Sequence, residues 1–218
     1  MAAAPDPERF ILANTRLLAP PHVPEVRLHL ASEVMPLWHL TEEELEKQGL
    51  PPPYWAFAWA GGQALARYVL DRPGTVAGRF VLDFAAGSGL VGIAAAKAGA
   101  ARVLAADTDA FAEAACRLNA SANGVALEMC TEDLVGRTDG GWQTVLAGDV
   151  CYEEAMARRV TEWLSALAGQ GVTVLIGDPG RNFLPRARLE TLARYRVPVS
   201  RDLEDREVRD TAVWRFRR

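Results

Sequence analysis

The run Phe80-Val-Leu-Asp-Phe-Ala-Ala-Gly-Ser-Gly-Leu-Val-Gly92 carries an apolar strand into Asp83, turns through glycines and passes directly into a helical pattern from Leu90 to Ala98. Such a passage constrains the fold strongly, because a buried strand followed at once by a helix is the opening of a parallel crossover unit. It also marks a ligand loop. Glycines let the backbone approach a bound molecule, and the free N–H groups at a helix start attract an anionic group. A second apolar strand, Ala101 to Ala106, ends in Asp107, where a carboxylate can accept both hydroxyls of a ribose. Together the two acids and the glycine turn describe a site for a nucleoside-bearing cofactor.

Gly87-Ser-Gly89-Leu-Val-Gly92 spells the G-x-G-x-x-G of dinucleotide-binding folds. Asp83 argues against a pyrophosphate there, since it would set a carboxylate close to two further negative charges. An acid at that strand end favours a cationic ligand. S-adenosylmethionine (SAM) fits, with its ammonium toward the acid, its carboxylate at the helix N-terminus and its ribose at Asp107. The phrase Val81-Leu-Asp-Phe-Ala-Ala-Gly-Ser-Gly89 also resembles the first motif of the class I methyltransferases, with Ala85 standing where that family usually has its first glycine.

From residue 80 onward strands and helices alternate. Strands are expected near 80–84, 101–106, 125–130, 143–148 and 172–177, with helices near 90–98, 110–122, 154–168 and 184–194. The alternation predicts a parallel sheet covered by helices on both faces. The rhythm then changes: Arg196 to Ser200 and Thr211 to Phe216 read as two last strands forming a hairpin across the charged stretch Arg201 to Asp210. Residues 1–53 are rich in proline and read as an extension packing on a domain formed by residues 54–218. Within the extension, Thr41 to Lys47 suggests a short acidic helix; from Trp55 to Leu70 a helical pattern leads into the domain.

A chain of 218 residues holds one full α/β domain and is too short for a dehydrogenase with a separate catalytic domain. Its formal net charge of -4 gives no electrostatic reason to expect nucleic acid as a partner. Cys116, Cys130 and Cys151 are scattered and lack metal spacing, and His22, His29 and His39 share no ligand pattern, so no metal is expected. The amino terminus lacks a basic n-region, and charges break every long apolar stretch; a cytoplasmic protein is expected.

A further chemical feature is Val145-Leu-Ala-Gly-Asp-Val-Cys-Tyr152, a buried-looking strand that delivers Asp149 and Tyr152 at its carboxyl end, where open α/β sheets bind ligands. Asp-x-x-Tyr there resembles a signature of one group of seven-stranded protein lysine methyltransferases. A lysine amine wants an acceptor and an aromatic wall, which these two residues offer. The alternative is structural: Asp149 capping a helix that begins near Glu153, with Tyr152 in the core.

A closer resemblance extends over most of the chain. Pro53 to Arg67 with its Trp59-Ala-Gly-Gly62, Ala105-Ala-Asp-Thr-Asp109, Gly148 to Glu153, Leu175-Ile-Gly-Asp-Pro-Gly180 and Thr211 to Phe216 look like the electron transfer flavoprotein β-subunit lysine methyltransferases. The resemblance implies a Rossmann-like class I methyltransferase fold with a mostly parallel seven-stranded sheet in the order 3-2-1-4-5-7-6, the last strand antiparallel. It implies SAM as cofactor and a protein substrate, the flavoprotein β-subunit, bound by a monomer without nucleic acid or membrane. Asp149 and Tyr152 would be catalytic. Asp83 would meet the amino end of SAM, Gly87, Ser88 and Gly89 its backbone-held part, Asp107 its ribose and Asp133 its adenine, with Glu132 as rival. Trp59, Ala85, Thr108 and Leu134 complete the implied cofactor set. Bacterial members have also been labelled as acting on ribosomal proteins or small amines. Those activities, and a non-catalytic SAM-binding partner of a flavoprotein, are the alternatives.

Overall fold

The computed structural model describes residues 5–31, 45, 50–199 and 207–217. Helix α1 (Pro7–Asn14) starts on the carboxylate of Asp6 and a proline, both suited to a helix N-terminus, and leads into the small antiparallel pair β1 (Arg16–Leu18) and β2 (Leu28–Leu30). A single 3₁₀ turn, Tyr54–Ala56, precedes α2 (Ala60–Asp71). The main alternation follows as β3 (Phe80–Phe84), α3 (Leu90–Lys97), β4 (Arg102–Ala106), α4 (Ala110–Ala122), β5 (Glu128–Cys130), β6 (Thr144–Gly148), α5 (Glu154–Gly169) and β7 (Thr173–Asp178). Two long strands close the chain, β8 (Leu189–Pro198) and β9 (Val208–Phe216).

The seven-stranded sheet has the order β5-β4-β3-β6-β7-β9-β8, and β9 runs antiparallel to both neighbours. This is the 3-2-1-4-5-7-6 order. Strand order reverses between β3 and β6, so their carboxyl ends, with that of β4, surround the crevice where such sheets take ligands.

Period-two alternation sorts β3 between two cores. Val81 faces the side packed by α2 and α3 with Val103, Leu146, Leu175 and Val213, whereas Leu82 and Phe84 face Val160, Trp163 and Leu164 of α5. The amino-terminal residues are part of this interior: Val23, Val26, Leu28 and Leu30 join the α2/α3 core, and Ile11 packs with Trp55, Phe111 and Ala115 in a third cluster against α4.

The expected helix near 184–194 is a strand instead. One 3₁₀ turn at Arg186–Arg188 gives way to β8, which pairs with β9 along its length. Leu192 sits at a register shift between Thr191 and Ala193, so the alternation that would have signalled a strand is broken, and cross-strand pairing overrides local preference. The hairpin expected from Arg196 and Thr211 is therefore longer than its sequence signal. Pairing in β5 starts only at Glu128, while Val125 and Leu127 pack irregularly against the helix-side core. The acidic helix expected at Thr41–Lys47 lies outside the described residues apart from Leu45, which is buried.

Candidate functional site

Glycine geometry builds the loop after β3. Gly87 and Gly89 take positive φ of 52° and 76°, and Gly89 caps α3. A side chain at Gly89 would also meet Cys116 Sγ at 3.0 Å, so both conformation and space require glycine. The loop is fastened from below by α4: Asn119 Nδ2 donates to the Ser88 carbonyl at 2.8 Å, and the Cys116 thiol reaches the Gly87 carbonyl. Ala85 has φ 54°. The position that the sequence comparison marked as an unusual alanine is thus one whose backbone favours glycine, held left-handed by its surroundings.

Asp83 is 2% exposed, and its Oδ2 accepts the N–H of Gly92 at 2.7 Å. Burial, with a smaller contribution from Asp107, pushes its carboxyl up to about 8 against the relief given by the Gly92 N–H. Asp107 accepts from Gly87 N–H at 2.9 Å and from Asp109 N–H at 3.1 Å, which ties the end of β4 to the glycine loop; burial raises its pKa as well. Asp83, Ala85, Gly87, Ser88, Asp107, Thr108, Asp133 and Leu134 all line one cavity of about 610 Å³, while Gly89 shapes the loop from behind. Both Asp133 and Glu132 lie on its wall. The Asp133 carboxylate is taken by Arg159, which holds its pKa down, and it also accepts the Val135 N–H at 3.0 Å.

Asp149 and Tyr152 line the same cavity from the end of β6. Asp149 does not cap the next helix; the Glu153 carboxylate does, accepting from Ala155 and Met156 N–H at 2.9 and 2.8 Å. Asp149 Oδ2 instead accepts the N–H of Gly62, in the first turn of α2, at 2.8 Å, and Oδ1 lies 3.2 Å from Arg181 Nη2. Its backbone is left-handed, φ 55°. Tyr152 is 46% exposed, away from the core, with its ring 5.8 Å from that of Tyr54. Trp59 sits at the same mouth: its Nε1 donates to the Tyr54 carbonyl at 2.9 Å and Phe57 packs on it edge-on.

The glycines of Trp59-Ala-Gly-Gly62 now have a physical reason. A Cβ on Gly61 would lie 2.2 Å from the Gly177 carbonyl, and one on Gly148 would lie 3.0 Å from Gly62 Cα. Helix α2 therefore touches the backbone of β6 and β7 directly, and this contact presents the Gly62 N–H to Asp149. Two residues of the site escaped sequence reasoning, Arg181 and Arg159. Arg181 follows the Gly-Asp-Pro-Gly turn after β7, so its place at a strand end was the available signal; Arg159, mid-helix on α5, carried none.

The donor set suits a nucleoside with one cationic and one anionic group. A buried acid stands beside a helix N-terminus, and a second acid ends the neighbouring strand, within a cavity of adequate volume. Among the described residues no cluster of side chains is arranged to hold a metal ion, and no helix is long and apolar enough to cross a membrane.

The profile of the ribosomal protein L11 methyltransferase (PrmA) family matches residues 64–148, the stretch from α2 to the end of β6. Among solved structures, a ribosomal protein L11 methylase from Lactobacillus delbrueckii subsp. bulgaricus shares the fold with a TM-score of 0.52 at 20% identity, covering 74% of this chain and 81% of that one. Magnesium protoporphyrin IX methyltransferase from Synechocystis PCC 6803 with bound SAM does so with a TM-score of 0.51 at 18% identity, covering 71% and 79%. The electron transfer flavoprotein beta subunit lysine methyltransferase of Danio rerio is 38% identical over 218 residues, 97% of this chain and 83% of that protein. Its Xenopus laevis counterpart is 40% identical over 216 residues, covering 96% and 87%, and the Homo sapiens protein 33% identical over 222 residues, covering 97% and 82%. With relatives this similar along nearly its whole length, the chain belongs to the electron transfer flavoprotein beta subunit lysine methyltransferase family.

Proposed function

We propose that this protein transfers methyl groups from SAM to lysine side chains of the electron transfer flavoprotein β-subunit. The observation that supports the reading is that Asp149 and Tyr152 line the same cavity as Asp83, Asp107 and the glycine loop, the arrangement an amine-binding pair beside a nucleoside site requires. The names of the full-length relatives support the substrate. A monomeric, cytoplasmic enzyme working without nucleic acid or membrane is part of the same reading.

Bound SAM supplies an electrophilic methyl group on a sulfonium sulfur. Asp83 would meet its ammonium, the α3 N-terminus with Gly87 and Ser88 its carboxylate, Asp107 its ribose, and Asp133 and Leu134 its base. Trp59, Ala85 and Thr108 line the remainder. A lysine reaches the site protonated, with an ordinary pKa of ~10.4, and must lose that proton before its lone pair can attack. Asp149 orients the amine by hydrogen bonding while the rings of Tyr152 and Tyr54 flank the carbon stem. Orientation and desolvation suffice, and no covalent enzyme intermediate is needed.

Incubation with SAM and unmodified flavoprotein, followed by intact-mass measurement of each subunit, tests the reading. Asp149→Asn is the suitable control because asparagine tolerates the left-handed backbone that alanine would strain. Increments confined to the β-subunit, and reduced about 10²-fold or more in the variant, are expected. An unmodified β-subunit beside methylated small amines or ribosomal protein would replace the substrate. Flavoprotein binding that persists with no methylation of any acceptor would make the chain a binding partner.

A further inference from the structure

Arg181 is held by a turn anchored on a buried carboxylate. Its N–H and that of Gly180 both donate to Asp178 Oδ1, at 2.7 and 2.6 Å, and Asp178 is fully buried at the end of β7. From this anchor the guanidinium reaches across to Asp149, with side chains 23% and 10% exposed respectively. Beyond them lies a second cavity of about 300 Å³, floored by Cys151 and flanked by Phe183. Arg181 and Tyr152 line both cavities and so form the partition between them.

A carboxylate alone is a poor partner for a nucleophilic amine, because it stabilises the ammonium, the form without a lone pair. A guanidinium on the same carboxylate opposes that effect. We propose that Arg181 is a positioning residue for the methyl-accepting lysine: by balancing the charge of Asp149 it lets the amine release its proton to solvent, while the carboxylate still accepts an amine N–H. The lone pair then forms the N–C bond as the S–C bond breaks, the bonding electrons stay on sulfur, and the positive charge passes to nitrogen. The inference rests on the lysine reading above.

The other charged and titratable groups facing this point do not replace Arg181. On the cavity wall Asp107 and the phenols of Tyr54 and Tyr152 supply no positive charge, and the other cation there, Arg159, is paired with Asp133; Glu153 is taken up in capping α5. Behind it stand Asp178, Arg186 and Cys151, whose thiol burial pushes up to about 12. Arg209 lines the second cavity and not the first.

The test is single-turnover methylation of unmodified flavoprotein β-subunit across pH 6–10 by wild type, Arg181→Lys and Arg181→Met, with KM and kcat separated. In Arg181→Met the acid limb of the rate profile should move alkaline by about one unit or more, so that kcat at pH 7 falls about tenfold or more and recovers near pH 10, with KM not raised. Arg181→Lys, which keeps the charge, should leave the limb in place. An equal loss at every pH, or a raised KM with an unmoved limb, overturns the inference. Should wild type leave every flavoprotein lysine unmodified, the substrate reading fails separately. Carbon NMR titration of the Asp149 carboxyl in wild type and Arg181→Gln, which needs no acceptor, then decides: a raised titration supports the inference and an unmoved one overturns it.

Discussion

Two residues without glycine's freedom, Ala85 and Asp149, hold positive φ just past the ends of the neighbouring strands β3 and β6. Each lies where a strand ends and the chain must turn sharply to aim at a ligand, and strain at such points is sustained by the surrounding sheet. Ala85→Val should therefore destabilise by about 1–2 kcal/mol, read as a lowered midpoint in chemical denaturation, whereas Ala85→Gly should be close to neutral. Asp83 makes a second prediction. Its carboxyl, raised from 3.8 to about 8, binds a proton in the folded chain that the unfolded chain has released, so stability falls as pH rises through that interval. Above pH 7 His22 and His29, whose pKa burial lowers, are neutral in both states and drop out. Thermal midpoints should therefore decline from pH 7 to 8.5, with a flatter profile in Asp83→Asn. An ammonium placed against Asp83 favours the ionised acid, so SAM binding at pH 7 should release close to one proton, measured as a dependence of the calorimetric heat on the buffer's ionisation enthalpy. Equal heats in all buffers would remove Asp83 from the ammonium site.

At the scale of elements, the contact of α2 with β7 is the joint on which the site depends. Gly61→Ala drives a methyl group into the Gly177 carbonyl, and because both partners are backbone the helix must move. A destabilisation of about 2–3 kcal/mol with a larger loss of methylation than of SAM affinity is expected, since the helix carries the N–H bound by Asp149 and only borders the cofactor loop. Gly62→Ala meets only side-chain carbons at ordinary contact distance and should be mild. The glycine pair was visible in the sequence as part of an aromatic signature, yet its meaning was not, because it lies in an approach between segments far apart in the chain. The same holds for Arg181, whose partner Asp149 is remote in sequence. By contrast Asp83, Asp107 and the glycine turn were legible because strand, turn and helix are consecutive, and local order alone dictates their geometry. The misread β8 shows the limit from the other direction: Leu192 at the bulge erases the alternation, and only pairing with β9 makes the segment a strand.

Across the whole molecule, alternation gave the parallel sheet and the resemblance gave the order of its seven strands. The proline-rich amino-terminal residues read as an extension packing on the domain, and within them Val23, Val26, Leu28 and Ile11 are fully buried in cores shared with α2 and α4. Trp55 stacks on Phe111 with ring centroids 6.2 Å apart, and Pro51, Pro52 and Tyr54 line the cavity at the strand ends. Deleting residues 1–31 should strip apolar cover from two cores at once and give a chain that melts at least 10 °C lower or is recovered only in aggregates, rather than a trimmed domain of full stability. A truncated protein that melted with the full chain would show the extension to be dispensable.

The bare backbone contact of Gly61 with Gly177 also couples catalysis to the integrity of the sheet. Donor and acceptor sites share one frame whose tolerance is about the width of a methyl group, so a lesion that loosens helix from strand misaligns the reaction before it unfolds the chain. Damaged or partly folded molecules should fall silent instead of methylating stray lysines, which makes fidelity a property of the fold's tightness as much as of the residues that touch the amine.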